Sequence, residues 1–342
     1  MDTTASPSLA AKRTSPAYAR NTSVLAGSIA LLLLAALAGL MSGAVPISAP
    51  DVWSALLSGT ESEARQIVWN LRLPRVLTAV LVGMNLAIAG ALLQGVFRNP
   101  LADPGIIGVS SGGGLAAVII MILFPAQIAY LPVSAFLGAL GATAVIYLLA
   151  WKGGASPVRL ILAGVAVNAL LGAAMSGLMI LNSDKVQSVL PWLSGTLNGR
   201  SWPHFDTLLP YSAVGLIASF FLIKSANLLV LGDDAAKVLG TRVETARLLI
   251  IMTAAFLAGS AISIVGMVGF VGLVVPHICR LLAGNNYRIL LPVSAIAGGA
   301  LITLADTAAR TLFDPLELPV GILLALLGGP FFLYLLRKGV GR

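Results

Sequence analysis

The sequence predicts an all-α, polytopic membrane protein with ten transmembrane helices, and three observations carry that reading. Of 342 residues, 58% are hydrophobic and only 10% are charged, at a mean hydropathy of +0.96. A soluble domain carries about 25% charged residues, so most of this surface does not face water. A soluble enzyme, a nucleic-acid binder and a disordered scaffold are excluded on that ground. The apolar residues also come in continuous runs near the roughly 20 residues that cross a hydrocarbon core, not in the short alternating strands of a barrel. Finally, LPVSA at 131–135 returns at 291–295, and ALLG at 169–172 returns at 325–328. The two LPVSA copies open spans four and nine, which run in opposite directions, so the pattern fits an inverted repeat of spans 2–5 and 7–10. Chance recurrence among Ala, Leu and Gly is the alternative.

The first span is 24–42, which holds no charge. The Ser/Thr/Ala/Pro-rich residues 1–23 before it read as a cytoplasmic tail. The run exceeds the roughly 7–15 residues of a signal-peptide core, so it reads as a retained span. Further spans are 76–97, 105–124, 131–151, 160–181 and 207–223. The uncharged run 248–279 is too long for one crossing, and its Gly-rich middle SIVGMVGF (263–270) predicts a reversal between spans near 246–264 and 268–283. Residues 288–309, interrupted only by Asp306, and 318–336 complete the set. The loops are too short to bury cores of their own, so 24–342 is one membrane domain.

An even number of spans puts both termini on one side. With the N-terminus inside, fifteen of the 21 Lys and Arg fall on inner segments, and only Arg65, Arg72, Arg75, Lys185, Arg200 and Arg310 lie outside. That asymmetry places both termini in the cytoplasm, and it accounts for the net charge of +8 without nucleic acid. The single cysteine, Cys279, excludes an internal disulfide, and two histidines, His204 and His277, are too few for a His-built metal centre.

Catalytic and energy-coupling motifs are missing. GVSSGGG (108–114) is glycine-rich but lacks the lysine of a phosphate loop, and its glycines suit close helix packing. HIC (277–279) reads as packing. The clear intramembrane acid is Asp306, with Arg310 four residues on along the same helix face. A self-neutralised pair near the outer surface is the plain reading, and a proton relay the other. If the chain transports, the work must come from another chain or from the gradient of the solute.

Two stretches carry more. In the inner loop GDDAAKVLGTRVETAR (232–247), Asp233 suits an N-cap for AAKVL and Gly240 suits the left-handed residue that ends a helix. Thr241 and Glu244 have the spacing of a capping box. Two short capped helices meeting at a sharp turn are predicted, an element fit to dock a cytosolic partner. In LRLPR (71–75), Arg72 and Arg75 flank Pro74 at the predicted start of span two. Cations at a helix N-terminus oppose its dipole. Snorkelling to lipid phosphates and a surface for an acidic partner both remain open.

LRLPR, the G-x-x-L-A-x-x-G-x-x-x-Q segment (83–94) and NPLADP (99–104) together resemble the permease family of ABC importers for iron-siderophores, haem and cobalamin. So do GDDAAKVLG (232–240), GFVGLVVPHICR (269–280), ADTAAR (305–310) and ELPVGILLALLGGPFFLYLL (317–336). The resemblance covers nearly the whole chain past residue 24. It implies a transport subunit of the bacterial cytoplasmic membrane with no cofactor of its own. The partners it implies are a second permease subunit, identical or paralogous, and two cytosolic ATPase subunits that bind ATP and Mg. An extracytoplasmic substrate-binding protein completes the assembly. It implies ATPase coupling through Asp233, Ala236, Leu239, Gly240 and Thr241, and docking of the binding protein on Arg72, Arg75 and Arg310. It also implies a gate in WLSGTLNGRSW (192–202), with Trp192, Thr196 and Leu197. Asn168 is a candidate for the path, or a helix–helix hydrogen bond. The segment 192–202 looks more like siderophore permeases than haem or cobalamin ones. An ion-coupled secondary transporter and a membrane-embedded enzyme are the rival classes.

Overall fold

The computed structural model describes residues 16–57, 62–313 and 315–337. Each of the ten apolar runs is helical: α1 (Pro16–Met41), α2 (Leu73–Phe97), α3 (Val109–Leu123), α4 (Leu131–Ala150), α5 (Pro157–Leu181), α6 (Trp202–Phe221), α7 (Val243–Val265), α8 (Val271–Ala283), α9 (Tyr287–Thr311) and α10 (Val320–Arg337). Among the described residues the only β pairing is an isolated bridge, Trp151 to Ala155. Residues 1–15 of the expected tail lie outside the described part. From Pro16 the chain is already helical, because proline's fixed φ suits a first turn and no breaker follows.

Not all ten helices are long enough to cross. Six satisfy length and composition, and α6 makes a seventh if it continues through a 55° bend into the short helix Ile223–Val230. The helices α3, α8 and α10 are shorter. At 1.5 Å per residue, the 13 residues of α8 reach about 20 Å, against roughly 30 Å of hydrocarbon. Both α3 and α8 start from irregular backbone inside the bundle. A 3₁₀ turn (Pro104–Ile107) and Gly108 at φ +84° precede α3; Gly266 at φ +79° and Phe270 at φ +68° precede α8. Such backbone is tolerated at membrane depth only where protein surrounds it.

The centre of the bundle is α2, α7 and α9, whose windows are 78%, 72% and 67% buried, against 17% for α1 and α5. The packing repeats between the halves. Helix α2 packs on α9 as α7 packs on α4, and α2 and α7 meet each other. The last helix of each half also leans on the irregular segment that opens that half's second helix. A Cβ on Gly164 of α5 would lie 2.1 Å from the Ile106 carbonyl oxygen, while one on Gly321 of α10 would lie 2.1 Å from that of Ser194 and 3.3 Å from that of Met267.

The start of α2 differs from expectation. Arg72 and Arg75 were placed at a helix N-terminus, but the helical path begins at Glu63, capped by Ser62, and runs through a π-helical segment, Gln66–Arg72, into α2. The Leu73 N–H donates to the Val68 carbonyl, five residues back. The wider turn accommodates Pro74, which has no N–H to give.

Candidate functional site

The two ends of the bundle carry its polar machinery. Helix α2 is about 37 Å long at 1.5 Å per residue, with Arg75 in its first turn and Gln94 in its last.

At the Arg75 end, a cleft of about 370 Å³ is lined by Arg72, Arg75, Arg200, Arg310, Glu317 and Asn198, among others. The π segment brings Arg72, α2 brings Arg75, and the last turn of α9 brings Arg310. Residues far apart in sequence thus meet, as the family resemblance implied for these three arginines. Their states differ. Arg72 is buried and donates to the carbonyls of Leu40 and Met41 at 2.8 Å each, and to Val45. Leu40 and Met41 end α1, where carbonyls lack intrahelical partners, and Val45 lies in the turn that follows. Arg310 is buried as well and donates to the Gly39 carbonyl. Arg75 grips Asp306 with two bonds of 2.8 Å and Glu317 with one of 2.9 Å. The expected Asp306–Arg310 pair is loose, at 3.9 Å. The fork of Arg75 matches the planar carboxylate better, so Asp306 is spent on a different helix from its own. Arg200 and Glu317 were not singled out in the sequence, since only folding brings loop residues 198–201 and 317 to this rim. Among the described residues, neither Arg200 Nε nor Arg310 Nε has a hydrogen-bond partner.

The segment 192–202 runs beside this cleft. Trp192 and Leu197 are buried. The Thr196 N–H donates to Val265 O at 2.8 Å, the Met267 N–H to Trp192 O at 3.2 Å, and the Gly321 N–H to Gly195 O at 3.1 Å. The segment is thereby stitched to the α7–α8 junction and to the start of α10. At its far end, Trp202 stacks on Trp69 of the π segment at 5.7 Å and donates its Nε1–H to the Trp69 carbonyl. Asn168 on α5 accepts from Ser111 Oγ on α3 and donates to Gly105 O at 3.0 Å. Both ends of its amide are engaged between helices.

At the opposite end, the loop 232–247 corrects part of the sequence reading. A single short helix, Asp233–Val238, precedes α7, which itself begins at Val243. Gly232, not Asp233, is the cap residue. Asp233 instead accepts two bonds, of 2.8 and 2.7 Å, from Arg247. The Thr241–Glu244 capping box does not form, because Glu244 is committed elsewhere. It accepts from the Ala155 N–H at 2.9 Å and from Arg247 at 3.0 Å. Arg247, only 1% exposed, also donates to Ala155 O at 2.7 Å. One guanidinium therefore clamps the short helix, the first turn of α7 and the α4–α5 connection. The turn itself is as expected. Gly240 sits at φ +81°, its N–H bonds to Lys237 O, and the Thr241 N–H bonds to Ala236 O, both at 2.9 Å. That is a Schellman ending. Ala236 faces inward, while Val238 and Leu239 project into the open. Arg247 was missed in the sequence because it reads as one more inner-side cation.

Comparison with known proteins decides the family. The model of the FecCD transport family matches residues 31–338. The chain belongs to the FecCD transport family. It is 40% identical to the Fe(3+)-citrate import system permease protein YfmE of Bacillus subtilis, over 90% of this chain and 95% of that protein. It is 40% identical to the hemin transport system permease protein HmuU of Yersinia pestis, over 90% and 93%. It is 43% identical to the cobalamin import system permease protein BtuC of Halobacterium salinarum, over 87% and 81%. A solved inward-facing conformation of a transporter described as metal-chelate type superposes with a TM-score of 0.84 at 34% identity, covering 93% of this chain and 99% of that one. As a FecCD permease, the chain is a multi-pass membrane subunit of an ABC importer.

Proposed function

We propose that this FecCD permease carries an iron-siderophore-type chelate across the cytoplasmic membrane by alternating access, driven by ATP hydrolysis on two cytosolic partner subunits. Relatives named for iron citrate, hemin and cobalamin support a bulky metal chelate as cargo. Haem or cobalamin is the alternative within the family. The carrying observation is the element at 233–241. A helix of six residues is too short to be stable alone, yet it is clamped by a buried arginine and presents Val238 and Leu239 outward. A rigid apolar knob of that kind fits a socket on a motor subunit. Through Arg247 and Ala155, its displacement is passed to α7 and α5 together, a rigid-body route for opening and closing the path. A second permease copy or paralogue forms the other wall, with both termini on the motor side.

On the other face, the arginine cleft is the proposed seat of acidic groups from a substrate-binding protein. Four arginines against Asp306 and Glu317 leave an excess of positive charge there. Arg75 and Arg200 are the reachable members, while Arg72 and Arg310 hold the frame. Asp306 is neutralised by Arg75, which disfavours the ion-coupled reading. The test is uptake into liposomes holding the permease and its ATPase. Transport is expected to need ATP and to vanish in Gly240→Val with the protein still monodisperse. Uptake driven by a proton or sodium gradient without the ATPase overturns the proposal.

A further inference from the structure

We propose that the bend between α6 and the helix Ile223–Val230 is a binding site for an anionic phospholipid, with Lys224 and Arg288 taking the phosphate. A hollow of about 800 Å³, the largest described here, is lined by Phe220, Phe221, Lys224, Asn227, Asn286 and Arg288, with Ile223 and Leu228. It lies at the same end as the 233–241 element. The Tyr287 hydroxyl donates to Ala91 O near the end of α2, and Gly232 sits beside Arg98.

Its chemistry is split by depth. Phe220 and Phe221 close the membrane-spanning part of α6 and are strongly exposed, Phe221 to 83%. One turn later the chain bends by 55° and presents Lys224. From the other side the first turn of α9 presents Arg288. Among the described residues neither cationic head has an acid or carbonyl partner, and the hollow's lining includes no acid. The polar floor is prearranged. Asn227 accepts from the Tyr287 N–H at 3.0 Å, and Asn286 accepts from the Arg288 N–H at 3.0 Å. Two unpaired cations from separate elements, next to an apolar wall at membrane depth, match a ligand with a phosphate at one end and acyl chains at the other. Basic pockets between spanning helices bind such headgroups. A soluble anion leaves the phenyl wall unused, and an acidic protein surface has no use for a wall turned toward lipid. The proposal does not depend on which chelate is carried.

The experiment is native mass spectrometry of the full chain in detergent. It is titrated with dioleoyl phosphatidylglycerol, dioleoyl phosphatidylcholine, or glycerol phosphate. Near an anionic surface each Lys or Arg adds about 1 kcal/mol, so two give roughly a ten- to thirty-fold preference for phosphatidylglycerol. That preference is expected to disappear in the double variant Lys224→Gln/Arg288→Gln. It is expected to persist in Lys152→Gln/Arg337→Gln, which removes equal charge elsewhere. A preference that survives the first pair, or falls equally with the second, overturns the proposal. Equal binding of glycerol phosphate makes this a phosphate site without lipid and also overturns it. Retained lipid preference with lost ATPase association makes the hollow a protein-docking face instead.

Discussion

Buried arginines serve opposite ends of this permease in different ways. At the 233–247 end, Arg247 is matched by two acids, Asp233 and Glu244, and by the Ala155 carbonyl. Its charge is more than balanced and its hydrogen bonds join three separate segments. At the other end, Arg72 and Arg310 are tied mainly to main-chain carbonyls of residues 39–45, which cancel no net charge. Among the described residues, Arg75 alone there is paired with acids at close range. One end is thus a mechanical joint whose single cation is outnumbered by its acids, and the other carries an excess of positive charge. A joint must pass force without being pulled apart. The docking face proposed for the cleft would need charge left available for a partner.

The largest expected effect tests the joint. Arg247→Ala removes four charged or polar hydrogen bonds at once. With its acids already partly in water, the expected cost is about 2–3 kcal/mol, read as a lower melting temperature in detergent, together with loss of ATP-driven uptake. Full uptake in that variant means the three segments move independently. Next, Asp306→Asn leaves Arg75 without its bidentate partner and is expected to cost about 2 kcal/mol, whereas Glu317→Gln, on the more exposed partner, costs under about 1 kcal/mol. Equal melting shifts break the distinction between a buried anchor and a rim charge. Third, Gly240→Ala costs about 1 kcal/mol of left-handed strain with no steric clash, since nothing lies within 4 Å of its Cβ position. Uptake is expected to fall further than stability does. Smallest, Asn168→Ala costs roughly 0.6 kcal/mol, typical of a hydrogen bond between membrane helices, with uptake retained. Strong loss of uptake there assigns Asn168 to the path.

The helices were legible because lipid leaves few options. A chain with so few charges must satisfy its backbone internally, and every apolar run became a helix. Their crossing lengths were not legible. Where α3 and α8 begin depends on close approaches of Gly164 and Gly321 to neighbouring chain, a tertiary fact. In the site, Gly240 could be read because a left-handed turn is a local demand. Asp233 and Glu244 were misread as caps, since a carboxylate near a helix start looks the same whether it serves its own backbone or an arginine, fourteen residues on for Asp233 and three for Glu244. Arg200 and Glu317 carry no local signature at all. Pro74 signalled a helix start, but the π turn at Gln66–Arg72 absorbed it within a longer helical path.

The stitching of residues 192–197 to Val265, Met267 and Gly321 has a genetic consequence. Every one of those links is main chain to main chain, so ordinary substitution cannot cut them. Only proline at 196, 267 or 321 deletes a donor. The ribbon's course is therefore fixed by backbone alone, and Asn198, exposed at its edge, can change without cutting any of the three links.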